Sequence, residues 1–214
     1  MKKRVDILLA EKGLTKSREK AKIQIISGNV YANGKQVKNP SDTLDEDATI
    51  ELRADACPYV SRGGLKLEKA LQEFRINLEG KTCADIGAST GGFTDCMLKN
   101  GAVFVYAIDV GYGQFDWSLR NDGRVMLMER TNARHLEALE QAVDFTSVDV
   151  SFISLKHIFP AVARISEAHA EVVTLIKPQF EAGKGQVGKK GVVRDPKVHT
   201  EVIENVISYA EANG

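Results

Sequence analysis

Three stretches of the chain bring together residue types able to do chemistry. The first is Cys83-Ala84-Asp85-Ile86-Gly87-Ala88-Ser89-Thr90-Gly91-Gly92-Phe93-Thr94-Asp95, an apolar run with an acid near its end that breaks into glycines and small hydroxyls. It then enters an amphipathic segment from Phe93 to Asn100, so the order is strand, loop, helix. Without Cβ atoms, Gly87, Gly91 and Gly92 would let a ligand approach the backbone, and the helix start would offer unpaired N–H groups to an anion. The pattern Asp-x-Gly-x-x-x-Gly-Gly is not the G-x-G-x-x-G of a dinucleotide site. The next apolar run, Val103 to Ile108, ends in Asp109, 22 residues after Gly87, where an acid accepts hydrogen bonds from a ribose diol. Asp85, Gly87, Ser89, Thr90, Gly91, Gly92, Phe93 and Asp109 are therefore candidate ligand contacts, with Asn132 and Arg134, after the third strand, placed to hold a base. In the other two stretches, Val148-Asp149-Val150-Ser151-Phe152 and Leu175-Ile176-Lys177-Pro178-Gln179-Phe180, a charge emerges directly from an apolar run. Charges so placed pair or act. An ordinary βα turn and an ordinary buried ion pair are the competing explanations.

The elements that must position these residues follow from periodicity. Strands at 83–86, 103–109, 125–129, 145–150 and 171–176 alternate with helical segments, which predicts an α/β fold with a Rossmann-like, doubly wound parallel sheet and ligands at the carboxyl ends of its strands. Before them, Val60 to Leu71 turns into a helix with Leu67, Ala70, Leu71 and Phe74 expected on its buried face and Lys66 off it, beside Gly63 and Gly64. Residues 1–55 form a separate, small α+β unit. Val5 to Glu11 reads as a helix closed by Gly13. A second runs from the cap Ser17 to Ser27, with Ala21, Ile25 and Ile26 as its apolar face and Gly28 as its stop. Asn33-Gly34 between Val30-Tyr31-Ala32 and Lys35-Gln36-Val37 predicts a two-residue hairpin, and Thr49 to Leu52 a third strand. The proline and missing periodicity of 53–59 put the boundary there. The expected division is 1–55, a linker at 56–62 and a second domain over 63–214.

Net charge is zero over 214 residues but unevenly spread. Residues 1–38 hold ten Lys/Arg against three Asp/Glu, +7, and the rest 19 against 26, −7. A neutral chain with one basic end predicts a polyanion-binding module joined to something else. Arg4, Lys16, Arg18, Lys20, Lys22 and Lys35 surround the small unit, and Ser61 and Arg62 at the entrance to the second are counted with them. Solubilising charge is the plain alternative. Cys57, Cys83 and Cys96 have no metal-ligand spacing and read as reduced thiols of a cytoplasmic protein. The Met-Lys-Lys-Arg start resembles a signal n-region, but Val5–Ala10 is too short and contains Asp6, and no run approaches the ~18 apolar residues of a membrane span.

Ser17-Arg18-Glu19-Lys20-Ala21-Lys22 followed by Ile26-Ser27-Gly28-Asn29-Val30-Tyr31-Ala32-Asn33-Gly34-Lys35 resembles the S-four-type RNA-binding domain, the alpha-L motif. The loop 85–95 with Asp109 resembles the cofactor loop of a Rossmann-like S-adenosylmethionine methyltransferase. Together with Tyr59-Val60-Ser61-Arg62-Gly63-Gly64-Leu65-Lys66-Leu67, Asp149-Val150-Ser151-Phe152-Ile153-Ser154 and Ile176-Lys177-Pro178-Gln179-Phe180-Glu181, the chain is similar nearly end to end to the TlyA, or hemolysin A, family, an S-four domain fused to an FtsJ-like methyltransferase.

That resemblance implies a ribosomal RNA ribose 2′-O-methyltransferase that uses S-adenosylmethionine, needs no metal, takes ribosomal RNA or ribosomal subunits as partner, and holds RNA by phosphate contacts and shape. It also implies a Lys-Asp-Lys-Glu tetrad, of which Lys66, Asp149 and Lys177 carry over. The glutamate and two further strands have no counterpart before Gly214, so the domain is expected to be incomplete at that end, to bind cofactor and RNA, to transfer methyl slowly or not at all, and to self-associate. Lys184, Lys189, Lys190 and Arg194 are expected to form a basic rim. An RNA-binding protein with a vestigial catalytic fold and a cytolysin are the two other classes; the missing export signal and membrane span speak against the second.

Overall fold

The computed structural model of the chain describes residues 2–26, 28–52, 57–183, 185–188 and 191–214. The chain divides into two compact units, Met1–Pro58 and Tyr59–Gly214.

In the first unit β1 (Lys2–Arg4) leads into α1 (Val5–Glu11), followed by α2 (Arg18–Ile26), β2 (Val30–Ala32), β3 (Lys35–Gln36), β4 (Thr43–Asp45) and β5 (Ile50–Leu52). The Asn33-Gly34 turn has both residues in the left-handed region, φ 48° and 77°, as a two-residue hairpin requires. β2 pairs antiparallel with β3 and β5, and β1 with β4. The β1–β4 pair was not foreseen, because its short strands carry no apolar alternation. Val5, Leu9, Ala21, Ile25, Val30, Ala32 and Val37 form the core. The Ser17 hydroxyl accepts the Lys20 N–H at 3.2 Å, capping α2. Ile26, expected on the apolar face, is 69% exposed, since Ala21 and Ile25 alone complete the buried stripe. The expected helix end at Ser27 and residues 53–56 of the expected boundary stretch 53–59 lie outside the described residues.

One charged group sits inside this unit. Asp6 is fully buried, and its carboxylate accepts from Arg4 at 3.0 and 3.1 Å and from Arg18 at 2.9 Å. Hydrogen bonding to Arg4, then to Arg18, outweighs the cost of burial and holds its pKa at about 2.

The second unit opens with α3 (Gly63–Phe74) and continues with β6 (Thr82–Ile86), α4 (Gly92–Lys99), β7 (Phe104–Ile108), α5 (Trp117–Arg120), β8 (Val125–Met128), β9 (Val143–Val148), α6 (Phe159–Ile165), β10 (Ser166–Thr174), α7 (Pro178–Glu181) and α8 (Pro196–Glu211). Short 3-10 turns at Ala133–His135 and Leu155–His157 lie on either side of β9. The five strands are parallel in the order β10-β9-β6-β7-β8. β6 is buried at every position, as a strand covered on both faces must be. Ala84, Ile86, Tyr106 and Ile108 pack with residues of α6 and α8, and α3 and α4 pack on each other. Phe74, expected to be buried, is exposed, because α3 ends there and Arg75 turns left-handed at φ 55°. On α8, Val198, Val202 and Val206 are buried while Ile203 and Ile207 stay exposed. Cys83 and Cys96 are free, and burial pushes their thiols up to about 12 and 11, so both remain protonated.

The Asp6 clamp makes the first unit acid-sensitive in one window. Because its folded pKa lies below the ordinary carboxylate value of 3.8, its contribution is complete above that value and lost as pH falls through about 2. Asp6→Asn should therefore cost about 2 kcal/mol at neutral pH, with the difference from wild type disappearing by roughly pH 2. Amide exchange of the Leu9, Ile25 and Val30 backbones as a function of pH measures it.

Candidate active site

At the end of β6 the side chain of Asp85 turns inward, fully buried, accepting from the Thr94 hydroxyl at 2.7 Å and the Ser147 hydroxyl at 3.0 Å. Desolvation pushes its pKa up to about 6, the two hydroxyls opposing. Asp85 thus stands behind the loop, tying it to α4 and β9, and does not line the cavity in front.

The loop itself turns through left-handed residues at Gly87 (φ 87°), Ser89 (51°) and Gly91 (90°). What the glycines admit is mostly the protein's own backbone and side chains. A Cβ on Gly87 would stand 2.6 Å from the Asp149 carbonyl oxygen, one on Gly91 2.5 Å from Leu119 Cδ1, and one on Gly92 2.3 Å from Ser61 Oγ and 2.9 Å from Gly64 N. The expectation that bareness at Gly91 serves a ligand is corrected accordingly, since Leu119 and Phe115 take that space; Gly92, packed on Ser61 and Gly64, still lines a hollow. Asp109, at the end of β7, accepts the Ser89 N–H at 2.7 Å and the Gly111 N–H at 2.6 Å, so it shapes the loop while facing the cavity.

Two hollows open at the carboxyl ends of the strands. The larger, about 480 Å³, is lined by Gly87, Ser89, Asp109, Asn132 and Asp149 together with Ile108, Val110 and Ile158. The smaller, about 200 Å³, is lined by Ser61, Lys66, Thr90, Gly92, Phe93 and Asp149. Gly87, Ser89 and Asp149 are common to both. Arg134, expected to help hold a base, is exposed and lines neither; its N–H donates to Asn132 Oδ1 at 3.1 Å within a 3-10 turn that points its side chain outward.

At Asp149, which lines both hollows, three distant residues meet. Lys66 Nζ is 3.2 Å from Asp149 Oδ2, and Lys177 Nζ forms an ion pair with Asp149 Oδ1. Lys177 Nζ also donates to the Val150 carbonyl at 2.8 Å and the Ser151 hydroxyl at 3.0 Å. Asp149 and Lys177 are largely buried and Lys66 is more open. Sequence reasoning did not find the groups that brace this cluster. Glu181 accepts from Ser154 Oγ at 2.6 Å and Leu155 N at 2.8 Å, tying α7 to the segment after β9. Phe152 holds φ 65°, is 91% exposed and lies 5.1 Å from the Phe180 ring. Both residues stood inside quoted motifs, and the local signal that could have marked them was an aromatic after Asp-Val-Ser. The residues expected to link the domains pack in the second unit: Tyr59 is buried, donating to Glu68 at 2.8 Å, and Val60 N donates to Asp95 at 2.8 Å.

Of the basic residues, Lys16, Lys20 and Lys35 are exposed and Lys22 half-buried. Arg4 and Arg18 are partly exposed but engaged by Asp6. Ser61 abuts the cofactor-type loop rather than open surface, while Arg62 and Arg194 are exposed. Lys184, Lys189 and Lys190 lie outside the described residues. Among the described residues no cluster of His, Cys, Asp and Glu is arranged to hold a metal ion, and no helix is long and apolar enough to cross a membrane.

At neutral pH Asp85 lies above its folded pKa of about 6, burial outweighing the Thr94 and Ser147 hydroxyls and the Thr94 backbone N–H that favour its charge. A carboxyl whose folded pKa is raised contributes fully below its ordinary value of 3.8 and becomes destabilising as pH rises through 6. Asp85→Asn should therefore stabilise the second unit by about 2 kcal/mol at pH 7.5 and be nearly neutral at pH 4, read by denaturant titration at both pH values.

Residues 59–213 match the FtsJ-like methyltransferase family and residues 3–50 the S4 domain. The 16S/23S rRNA (cytidine-2'-O)-methyltransferase TlyA of Mycobacterium tuberculosis is 45% identical over 214 residues, covering 99% of this chain and 80% of the relative. Hemolysin A of Brachyspira hyodysenteriae is 45% identical over 208 residues, covering 96% and 86%. The solved structure of a candidate hemolysin from Streptococcus thermophilus, 47% identical, superposes with a TM-score of 0.77 over 100% of this chain and 79% of that one. With a parallel sheet, a glycine loop closed by Asp109 and a Lys-Asp-Lys cluster where its strands end, the chain belongs to the TlyA family, an S4 domain joined to an FtsJ-like methyltransferase.

Proposed function

We propose that this methyltransferase moves a methyl group from S-adenosylmethionine to a ribose 2′-hydroxyl of ribosomal RNA, its S4 unit holding the RNA. The observation that carries this reading is the convergence of Lys66 and Lys177 on Asp149, the carboxylate that lines both hollows. A volume of about 480 Å³ falls in the range of small-molecule sites, and its lining suits the cofactor: Asp109 for the ribose diol, Ile108, Val110 and Ile158 against the adenine. The bound sulfonium supplies an electrophilic methyl.

The work left to the chain is proton handling and alignment. A ribose hydroxyl is a weak nucleophile, so a base must take its proton as the oxygen–methyl bond forms and the methyl–sulfur bond breaks. Lys177 is that base once it has given up its own proton; the proton taken from the hydroxyl forms one new N–H bond on Nζ, and the Val150 carbonyl, the Ser151 hydroxyl and Asp149, which already hold Nζ, stabilise the ammonium that results. Asp149 orients Lys177 and stabilises the ammonium, and Lys66 holds the other oxygen of the same carboxylate. Alignment of oxygen, methyl and sulfur supplies the rest, up to about 7–11 kcal/mol in well-held systems. Phe152, extruded beside Asp149, presents a ring face on which the target nucleotide's base could rest.

Two measurements test the reading. Lys177→Ala should lower kcat by about 10²–10⁴ while leaving calorimetric S-adenosylmethionine affinity unchanged, and should erase the 2′-O-methyl that mapping of ribosomal RNA finds in cells carrying the wild-type protein. Lys20→Ala with Lys35→Ala, both exposed and outside the Asp6 clamp, should weaken RNA binding and reduce the slope of log affinity against log salt by about 2, with cofactor binding intact.

A further inference from the structure

The loop leaving Asp109 carries an aromatic and cationic surface that proton transfer and cofactor binding do not use. Tyr112 is 68% exposed and Trp117 75% exposed. Arg130 lies over the Tyr112 ring, 4.1 Å from guanidinium carbon to ring centroid. Tyr112, Trp117 and Arg130 line neither hollow of the active site.

This surface is held rigid from both sides. The Gly111 N–H donates to Asp109 at 2.6 Å, and the Arg130 N–H donates back to the Gly111 carbonyl at 3.1 Å. The Gly113 N–H donates to Glu129 at 2.7 Å, and the Asp116 N–H to the Thr90 carbonyl at 3.2 Å. Arg130 takes φ 54°, a left-handed conformation that a non-glycine residue keeps only where its surroundings enforce it. The neighbouring carboxylate, Glu129, is engaged by Arg120 at 2.8 Å and feels the Arg130 charge without forming a close ion pair with it, which leaves the Arg130 guanidinium on the ring.

We propose that Tyr112 and Arg130 form a stacking site for one unpaired base of the RNA, with the guanidinium placed for that nucleotide's phosphate. The inference rests on the RNA reading above and adds to it a contact on the catalytic unit. A guanidinium on one face of the ring fixes the ring and leaves the rest of it to solvent, which is the arrangement a base needs to stack. Such a site tolerates every base, because each has a π-face, and selects unpaired over paired nucleotides, because a duplex offers no free face. The pinned loop brings the stacked nucleotide to the rim of the cofactor cavity, where Val110 and Gln114 of the same loop form part of the wall.

Trp117 is the single tryptophan of the chain, so its fluorescence reports on this loop alone. Wild type, Tyr112→Ala and Tyr112→Phe are titrated with a single-stranded oligoribonucleotide and with an abasic strand of equal length and charge, and S-adenosylmethionine affinity is measured by calorimetry. The expected result is that Tyr112→Ala weakens binding of the base-bearing strand about tenfold, leaves the abasic strand and the cofactor unchanged, and that Tyr112→Phe binds as wild type does. Unchanged affinity of Tyr112→Ala for the base-bearing strand, or an equal loss on both strands, overturns the stacking site while the RNA reading stands. A loss of cofactor affinity overturns it too, by assigning the ring to the cofactor. Wild type binding neither strand overturns the RNA reading itself, and the stacking site with it.

Discussion

Asp149 is the group through which the catalytic unit is held in register. Its carboxylate receives Lys66 from α3, 83 positions earlier in the chain, and Lys177 from the end of β10. Its carbonyl oxygen lies against Gly87, where any side chain would collide. One residue thereby fixes the distance between the cofactor-type loop and the two ammonium groups. A partly buried carboxylate between two cations is a costly arrangement unless both remain, since removing either partner leaves uncompensated charge. That constraint keeps the cluster assembled before any substrate arrives, which is what alignment-dominated chemistry demands.

Around that centre, polar groups tie loop to loop. Asp109 pins the glycine loop through Ser89 and the next loop through Gly111, Glu181 pins α7 to the segment after β9, and Asp95 pins Val60 to α4. Each is a carboxylate accepting backbone N–H groups that would otherwise be orphaned at a loop or helix end. Asp85 differs in its burial. Held by the Thr94 and Ser147 hydroxyls and the Thr94 backbone, it is still destabilising when charged, and it joins its strand to α4 and β9. Natural chains accept such costs near functional sites, where geometry matters more than the last increment of stability.

The first unit follows a different logic. Its net charge is only +2 over residues 1–58, and the excess within residues 1–38 is carried largely by exposed lysines, whereas Arg4 and Arg18 are locked in a fork around buried Asp6. Lysines on flexible stems give long-range attraction to a polyanion, and guanidiniums held by a carboxylate keep a fixed orientation that costs little further entropy on binding. The unit thus combines a diffuse field with two preset donors.

Much of this was legible along the chain because it depends on neighbours in sequence. Strand-helix alternation, the Asn33-Gly34 turn, the stop at Gly13 and the order Asp85-loop-Asp109 all arise from backbone preference and apolar period, which a local window contains. Asp149 and Lys177 could be singled out because each sits where an apolar run ends, whereas Lys66 by itself reads as a solvated lysine and was raised, like all three roles, by family resemblance. The partners of those groups were a different matter. That Asp6 would bind both arginines, that Gly91 and Gly92 are filled by Leu119 and Ser61, that Phe74 and Ile26 face outward and that Arg134 leaves the cavity are consequences of which segments the folded chain brings side by side. Burial and pairing are properties of that three-dimensional neighbourhood. A sequence names the groups able to pair, and only the order of strands in the sheet decides which of them meet.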